Sequence, residues 1–162
     1  MADGTIITSV SDALAICSNI IESANSEVVY ISPPSLLVLG SQFSIDEKTK
    51  MLVQREGHVR GITDFSYPYI EEVRKGLDIG VDVRHISHYQ GIFLLMGDIK
   101  ESISSMSINA ESLSIDTPLI ALWSDDPIYS EYLMSTFETA WEQSIPAAQR
   151  IEELLKEGPR DV

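Results

Sequence analysis

Histidine, cysteine and the acids are the side chains that could do acid–base, nucleophilic or metal chemistry, and the chain holds three histidines and one cysteine. His85 and His88 stand three residues apart. On a helix that spacing would let both reach one metal ion. Here His85 falls in an apolar run that reads as a strand, and His88 in the loop after it. Strand side chains three apart point to opposite faces. With no cysteine or close acidic cluster to complete a four-ligand set, neither a metal site nor a cofactor is expected. His88 lies at the C-terminal end of a strand, where open α/β sheets gather their ligands. It reads either as a displaced catalytic histidine or as a surface or capping residue. The second reading is favoured, since Gln90 stands where a useful lysine would follow. Cys17 lies on the apolar side of a predicted helix and reads as a buried, inert thiol. Gly57, Gly61, Gly76, Gly80, Gly91 and Gly97 spell no phosphate-binding loop and read as turn and cap residues. GxSxG, HExxH and CxxC are missing too.

The elements that would position these groups can be read from periodicity. Val10, Ala13, Leu14, Cys17, Ile20, Ile21 and Ala24 recur at helical spacing, with Ser9 and Asp12 resembling a capping box at the start. Val28 to Ile31 reads as a buried strand that stops at Ser32-Pro33-Pro34. A helix is expected around Glu47 to Arg55, then a strand from His58 to Thr63. Pro68 opens a further helix with Tyr69, Ile70, Val73 and Leu77 on one face. Val81 to Ile86, Ile92 to Met96, Ser102 to Ile108 and Leu119 to Trp123 read as strands, the middle two joined by a tight turn at Gly97-Asp98-Ile99-Lys100. Asp126-Pro127 starts a helix by an acidic cap and a proline at its first position. Pro146 breaks that helix and opens a last one, over about 146–157. Tyr132, Phe137 and Trp141 could frame a pocket but read better as core.

The order αβαβαββββαα predicts one α/β domain over 1–162, with a mixed, mainly parallel sheet and helices on both faces. In that arrangement the strand ends gather Ser32, Asp64, His88 and Trp123, a plausible polar pocket for a small molecule. The length suits a single domain, and 44% hydrophobic residues can supply its core. Mean hydropathy is +0.04. No apolar run approaches the roughly 20 residues that cross a bilayer, and no signal-peptide pattern is seen. The lone cysteine fits a reducing compartment, so a cytoplasmic protein away from membranes is expected. A net charge of −14 reads first as solubility. It also leads to the expectation of no direct nucleic-acid partner.

Three stretches carry a family resemblance: Val59-Arg60-Gly61-Ile62-Thr63-Asp64; Val81-Asp82-Val83-Arg84-His85-Ile86 with the apolar strand and Asp98 after it; and Phe137-Glu138-Thr139-Ala140-Trp141 running on to Ile145-Pro146-Ala147-Ala148-Gln149-Arg150-Ile151. Over roughly residues 26 to 152 the chain resembles one phospholipase D-type repeat. It is similar in particular to the degenerate repeats of archaeal signalling proteins and of transcriptional regulators of the TrmB type. Active members carry His-x-Lys-x4-Asp, and two such motifs meet across a two-fold interface. The resemblance puts Asp98 at the Asp position, Phe93 at the Lys position and Gly91 at the His position. Glycine cannot form a phosphohistidine, and phenylalanine cannot hold a phosphate. It therefore implies a non-catalytic sensory or regulatory domain and a homodimer, binding a small molecule or a signalling protein. Ser32, Asp64, His88, Asp98 and Trp123 are the candidate ligand-binding residues. The helix after Pro146 offers Ile151, Leu154 and Leu155 to a partner helix. The competing reading is a divergent phosphodiesterase or phosphatidyltransferase using His88 or His85. A third is an interaction subunit without a pocket.

Overall fold

The computed structural model describes residues 4–89, 91–106 and 113–159. Among the described residues eight strands and six α-helices follow one another as β1 (Gly4–Ser9), α1 (Val10–Ser23), β2 (Glu27–Ile31), α2 (Pro34–Gly40), α3 (Ile45–Gln54), β3 (His58–Ile62), α4 (Ile70–Ile79), β4 (Asp82–His85), β5 (Phe93–Gly97), β6 (Glu101–Ser105), β7 (Pro118–Ser124), α5 (Pro127–Gln143), β8 (Ile145–Pro146) and α6 (Ala147–Glu157). The expected C-terminal helix falls within a residue of its expected bounds. The caps act as the sequence suggests. Ser9 accepts the Asp12 N–H at 3.1 Å, and Asp126 accepts the Ile128 N–H at 2.9 Å with Pro127 behind it. Such caps satisfy backbone donors that a helix start leaves unpaired.

The strands form one sheet in the order β1-β7-β6-β5-β2-β3-β4-β8. The expectation of a mainly parallel sheet is corrected. Among the described residues only β2–β3 and β3–β4 pair in parallel; β1–β7, β7–β6, β6–β5, β5–β2 and β4–β8 are antiparallel. Helical crossovers join β2, β3 and β4, and a crossover is what a parallel pair requires. A tight turn joins β5 to β6, which forces them antiparallel. The short edge strands β1 and β8, which the sequence reading did not find, add two more antiparallel pairs.

Helices cover both faces, as expected. Alternation along each strand sends Val28, Val59, Phe93, Leu95 and Ile103 to a core shared with α1, α4 and α6. Val29, Ile31, Ile62, Leu94 and Met96 go to a second core, closed by Leu133, Phe137 and Ala140 of α5. Phe137 is fully buried, which is worth roughly 1.5–3 kcal/mol relative to an exposed ring. On that face Arg60 and Arg84 lie on Trp141, their guanidinium carbons 5.1 and 5.0 Å from its ring. Arg60 also pairs with Glu138 and Glu27, and Arg84 donates to the Ser144 hydroxyl and carbonyl. Phe137 and Trp141 are thus core and clamp, while Tyr132 is exposed. The idea that α6 presents its apolar side to a partner is corrected too. Ile151 and Leu154 are buried in the chain's own core, leaving Leu155 outside.

Candidate functional site

The parallel strands β2, β3 and β4 end at one rim of the sheet, and there the structure brings Ser32, Asp64 and His88. The Asp64 carboxylate accepts the N–H of His88 at 2.8 Å and of Tyr89 at 3.4 Å. It thereby holds His88 in a left-handed conformation, φ 70°. These two residues fasten one loop to another. Ser32 is buried, and its hydroxyl donates to the Pro33 carbonyl at 3.0 Å.

Trp123 and Asp98 lie at the opposite rim, so the expected gathering of Trp123 with Ser32, Asp64 and His88 is corrected. Strands β5 and β7 run against β2, which puts their C-terminal ends beside the start of β2. Trp123 donates its ring N–H to Glu101 at 2.8 Å. Asp98 sits on the β5–β6 turn and accepts the backbone N–H groups of Asn25, Ser26 and Glu27 at 2.8, 2.9 and 2.9 Å. Desolvation alone would raise its pKa, but those N–H groups and Lys100 more than offset it, and the carboxyl is held below its ordinary range. Asp98 is therefore a pin that fixes the entry of β2.

Phe93, at the position where the resemblance would require lysine, is 3% exposed and packs in the core. His85 is similarly committed. Its Nδ1 accepts the Phe65 N–H at 3.3 Å, so the proton of the neutral ring sits on Nε2, 3.4 Å from the Ser87 hydroxyl. Burial, then Arg150, lowers its pKa against the opposing pull of Asp64. Its ring meets Phe65 edge-on at 5.3 Å.

One partly open pocket was not anticipated. A cavity of about 90 Å³ lies between the sheet and helices α1, α2, α3 and α4. Leu14, Cys17, Val28, Val59, Phe93 and Leu95 give it apolar walls; Tyr30, Ser32, Asp46, Thr49 and Glu72 supply the polar groups. Gly61 creates room for Tyr30. The two are register partners in β2 and β3, and a Cβ on Gly61 would fall 2.0 Å from the Tyr30 ring. Burial, then Asp46 and Glu72, raise the Tyr30 hydroxyl above the usual phenol range. Burial pushes the Cys17 thiol up to about 12, which keeps it protonated. The sequence shows no short-range signal for this site, because Tyr30 meets Gly61 only through the strand register.

The fold has solved counterparts. TrmBL2, described as an archaeal chromatin protein with a novel mode of DNA binding, superposes with a TM-score of 0.68 at 12% identity, over 90% of this chain and 55% of that one. Nuc, a phospholipase D family member from Salmonella typhimurium, gives 0.66 at 13% identity, over 88% of this chain and 97% of that one. NucT from Helicobacter pylori gives 0.65 at 14% identity, over 88% and 98%. This chain thus spans about half the length of TrmBL2. No protein-family model and no curated protein sequence matches it. The likeness establishes a phospholipase D-like fold. It also corrects the expectation of no direct nucleic-acid partner. That expectation rested on net charge, yet a DNA-binding chromatin protein carries this same fold. No helix among the described residues is long and apolar enough to cross a membrane.

Proposed function

We propose that the chain is a non-catalytic sensory or regulatory domain on a phospholipase D-like fold, degenerate in the manner of the archaeal signalling and TrmB-type repeats it resembles. The observation that carries this reading is Phe93, a buried ring where phosphoryl transfer would need an exposed ammonium. Gly91 offers no side chain at the nucleophile's position. Neither remaining histidine near that rim supports the enzymatic alternative. His85 spends its basic nitrogen on a backbone N–H, and the segment of His88 is tied down by Asp64. The chain's lysines lie on helices α3, α4 and α6 and on the β5–β6 turn, so none is placed on a strand end beside either histidine.

The test is turnover of bis(p-nitrophenyl) phosphate by the full chain, alone and as His88→Ala. No release above buffer is expected from either. Turnover that vanishes in His88→Ala would overturn the reading in favour of a divergent phosphodiesterase.

Self-association belongs to the same reading, since active relatives complete their site across a two-fold interface. It is supported by an exposed apolar patch at the β1–β7 edge of the sheet, on the face that carries α5. Ile6, Ile120 and Met106 are 60, 70 and 70% exposed, and the first turns of α5 add Ile128 and Tyr132. Sedimentation velocity should give a dimer, and Ile120→Glu a monomer. A wild-type monomer at high micromolar concentration would remove this part of the proposal.

A further inference from the structure

We infer that the cavity beneath helices α1–α4 is a binding site for a small apolar amine, whose hydrocarbon body fills the pocket and whose ammonium meets Tyr30, Asp46 and Glu72. The inference rests on the regulatory reading above and gives its ligand a chemical class.

Three features select that class. The walls are apolar on nearly every side, from Leu14 and Cys17 of α1 to Val59 and Leu95 of the sheet. A site of about 90 Å³ takes an apolar body on the order of four non-hydrogen atoms, since a cavity of about 150 Å³ takes benzene. The charged groups of the lining are of one sign. Asp46 and Glu72 are both part of the lining, and both raise the pKa of the Tyr30 hydroxyl. Lys75 approaches Glu72 at 3.3 Å from outside; its side chain is 60% exposed and it is not part of the lining. An anionic ligand would meet two carboxylates with no cation in the wall. Lastly, the Tyr30 hydroxyl belongs to the lining together with both carboxylates, which act on it electrostatically. An ammonium has three donors and no acceptor. It can satisfy that oxygen and both carboxylates, and can also lie against the Tyr30 ring. Gly61 is part of the same device, because any larger residue there would push Tyr30 off β3 and into the pocket.

The test uses the full chain, labelled at leucine and valine methyl groups, with isobutylamine, isobutanol and isobutyrate as probes. Isobutylamine should shift the methyl signals of Leu14, Val28, Val59 and Leu95 and leave Leu94 and Leu133, on the other face, unmoved. It should bind at least tenfold tighter than isobutanol, and isobutyrate should not bind. Tyr30→Phe, which removes only the hydroxyl, should weaken isobutylamine severalfold. Asp46→Asn with Glu72→Gln should erase its advantage over the alcohol. Isobutyrate binding as well as the amine, shifts confined to the α5 face, or no binding by any probe would each overturn the amine assignment. None of these results would touch the regulatory reading, which falls separately if the chain hydrolyses the phosphodiester.

Discussion

Asp98, which the resemblance sets at the aspartate of the active motif, has a structural use in this chain. Asp98 receives three backbone N–H groups from the loop that enters β2, and it does so from a left-handed turn. Its folded-state pKa is depressed. It therefore contributes stability that is present above the unfolded carboxyl value, about 3.9, and is lost as pH falls through the folded value. Asp98→Asn keeps the shape and the turn preference but loses the charge. At pH 7 it should be less stable than wild type by roughly 1–2 kcal/mol, since hydrogen bonds to a charged group exceed neutral ones. Below about pH 4 that gap should narrow. Urea titrations of both proteins across pH 3–7 measure it, and a constant gap would show that the charge plays no part. The next residue is strained. Ile99 has φ 55°, a conformation costly for a β-branched side chain. With Asp98 at φ 54° and Lys100 N–H bonded to the Gly97 carbonyl at 3.0 Å, the turn wants the Asp-Gly pair typical of two-residue hairpins. Ile99→Gly should stabilise the protein by about 1 kcal/mol, read as a higher urea midpoint with an unchanged slope.

At the scale of elements, the pairing of β2 with β3 links sheet register to the cavity. Tyr30 lies over Gly61, and nothing larger fits beneath it. Gly61→Ala should cost roughly 1–3 kcal/mol, as overpacking does. In a Tyr30→Ala background the same change should cost less than half as much, because the ring it collides with is gone. Additive losses in this double-mutant cycle would mean that the tyrosine is not what makes glycine necessary. Local signals, by contrast, were enough for most elements. Ser9, Asp126 and Pro127 mark helix starts by chemistry confined to one turn, and Val10 to Ala24 repeats at helical spacing. The same signals could not reveal β1 or β8. Gly4–Ser9 becomes a strand only by pairing with β7, and Ile145–Pro146 only by pairing with β4. Helix α2 was hidden because Ser32-Pro33-Pro34 reads as a turn, while the second proline in fact occupies the first helical position. The candidate site was legible in proportion to how local it was. Asp64 and His88 do meet, on loops that follow adjacent strands. Trp123 was misplaced because the rule that ligands gather at strand C-termini holds for parallel strands, and β7 runs the other way. Arg60 is a charge within an apolar strand, and its stacking on Trp141 and its bond to Glu138 depend on α5 crossing the sheet.

The whole molecule adds a term that no pair of residues carries. A net charge of −14 is spread over the chain, and like charges on a compact body oppose its compaction. The ion pairs are mostly at the surface, as in Arg74–Glu71 and Lys75–Glu72, and such pairs contribute little. Screening should therefore relieve more repulsion than attraction. Raising sodium chloride from about 10 mM to about 150 mM shortens the screening length from roughly 30 to 8 Å, and the thermal midpoint at pH 7 should rise by a few degrees. A fall would mean that the surface pairs outweigh the net charge. Acid offers a second way to discharge the molecule, but the two routes differ. Moving toward the isoelectric point, near 4.4, removes repulsion as salt does. It also engages His85, whose folded-state pKa is lowered. The unfolded chain takes up that proton below about pH 6.5 while the folded ring stays neutral, so stability is lost as pH falls from there to the folded value. Salt has no such cost. At pH 5 in low salt the gain in midpoint should thus be smaller than salt alone gives at pH 7. His85→Gln should recover the difference, because the competing proton uptake has been removed while the midpoint gain from discharging the surface remains. If the variant and wild type respond to acid alike, the acid sensitivity lies elsewhere than in His85.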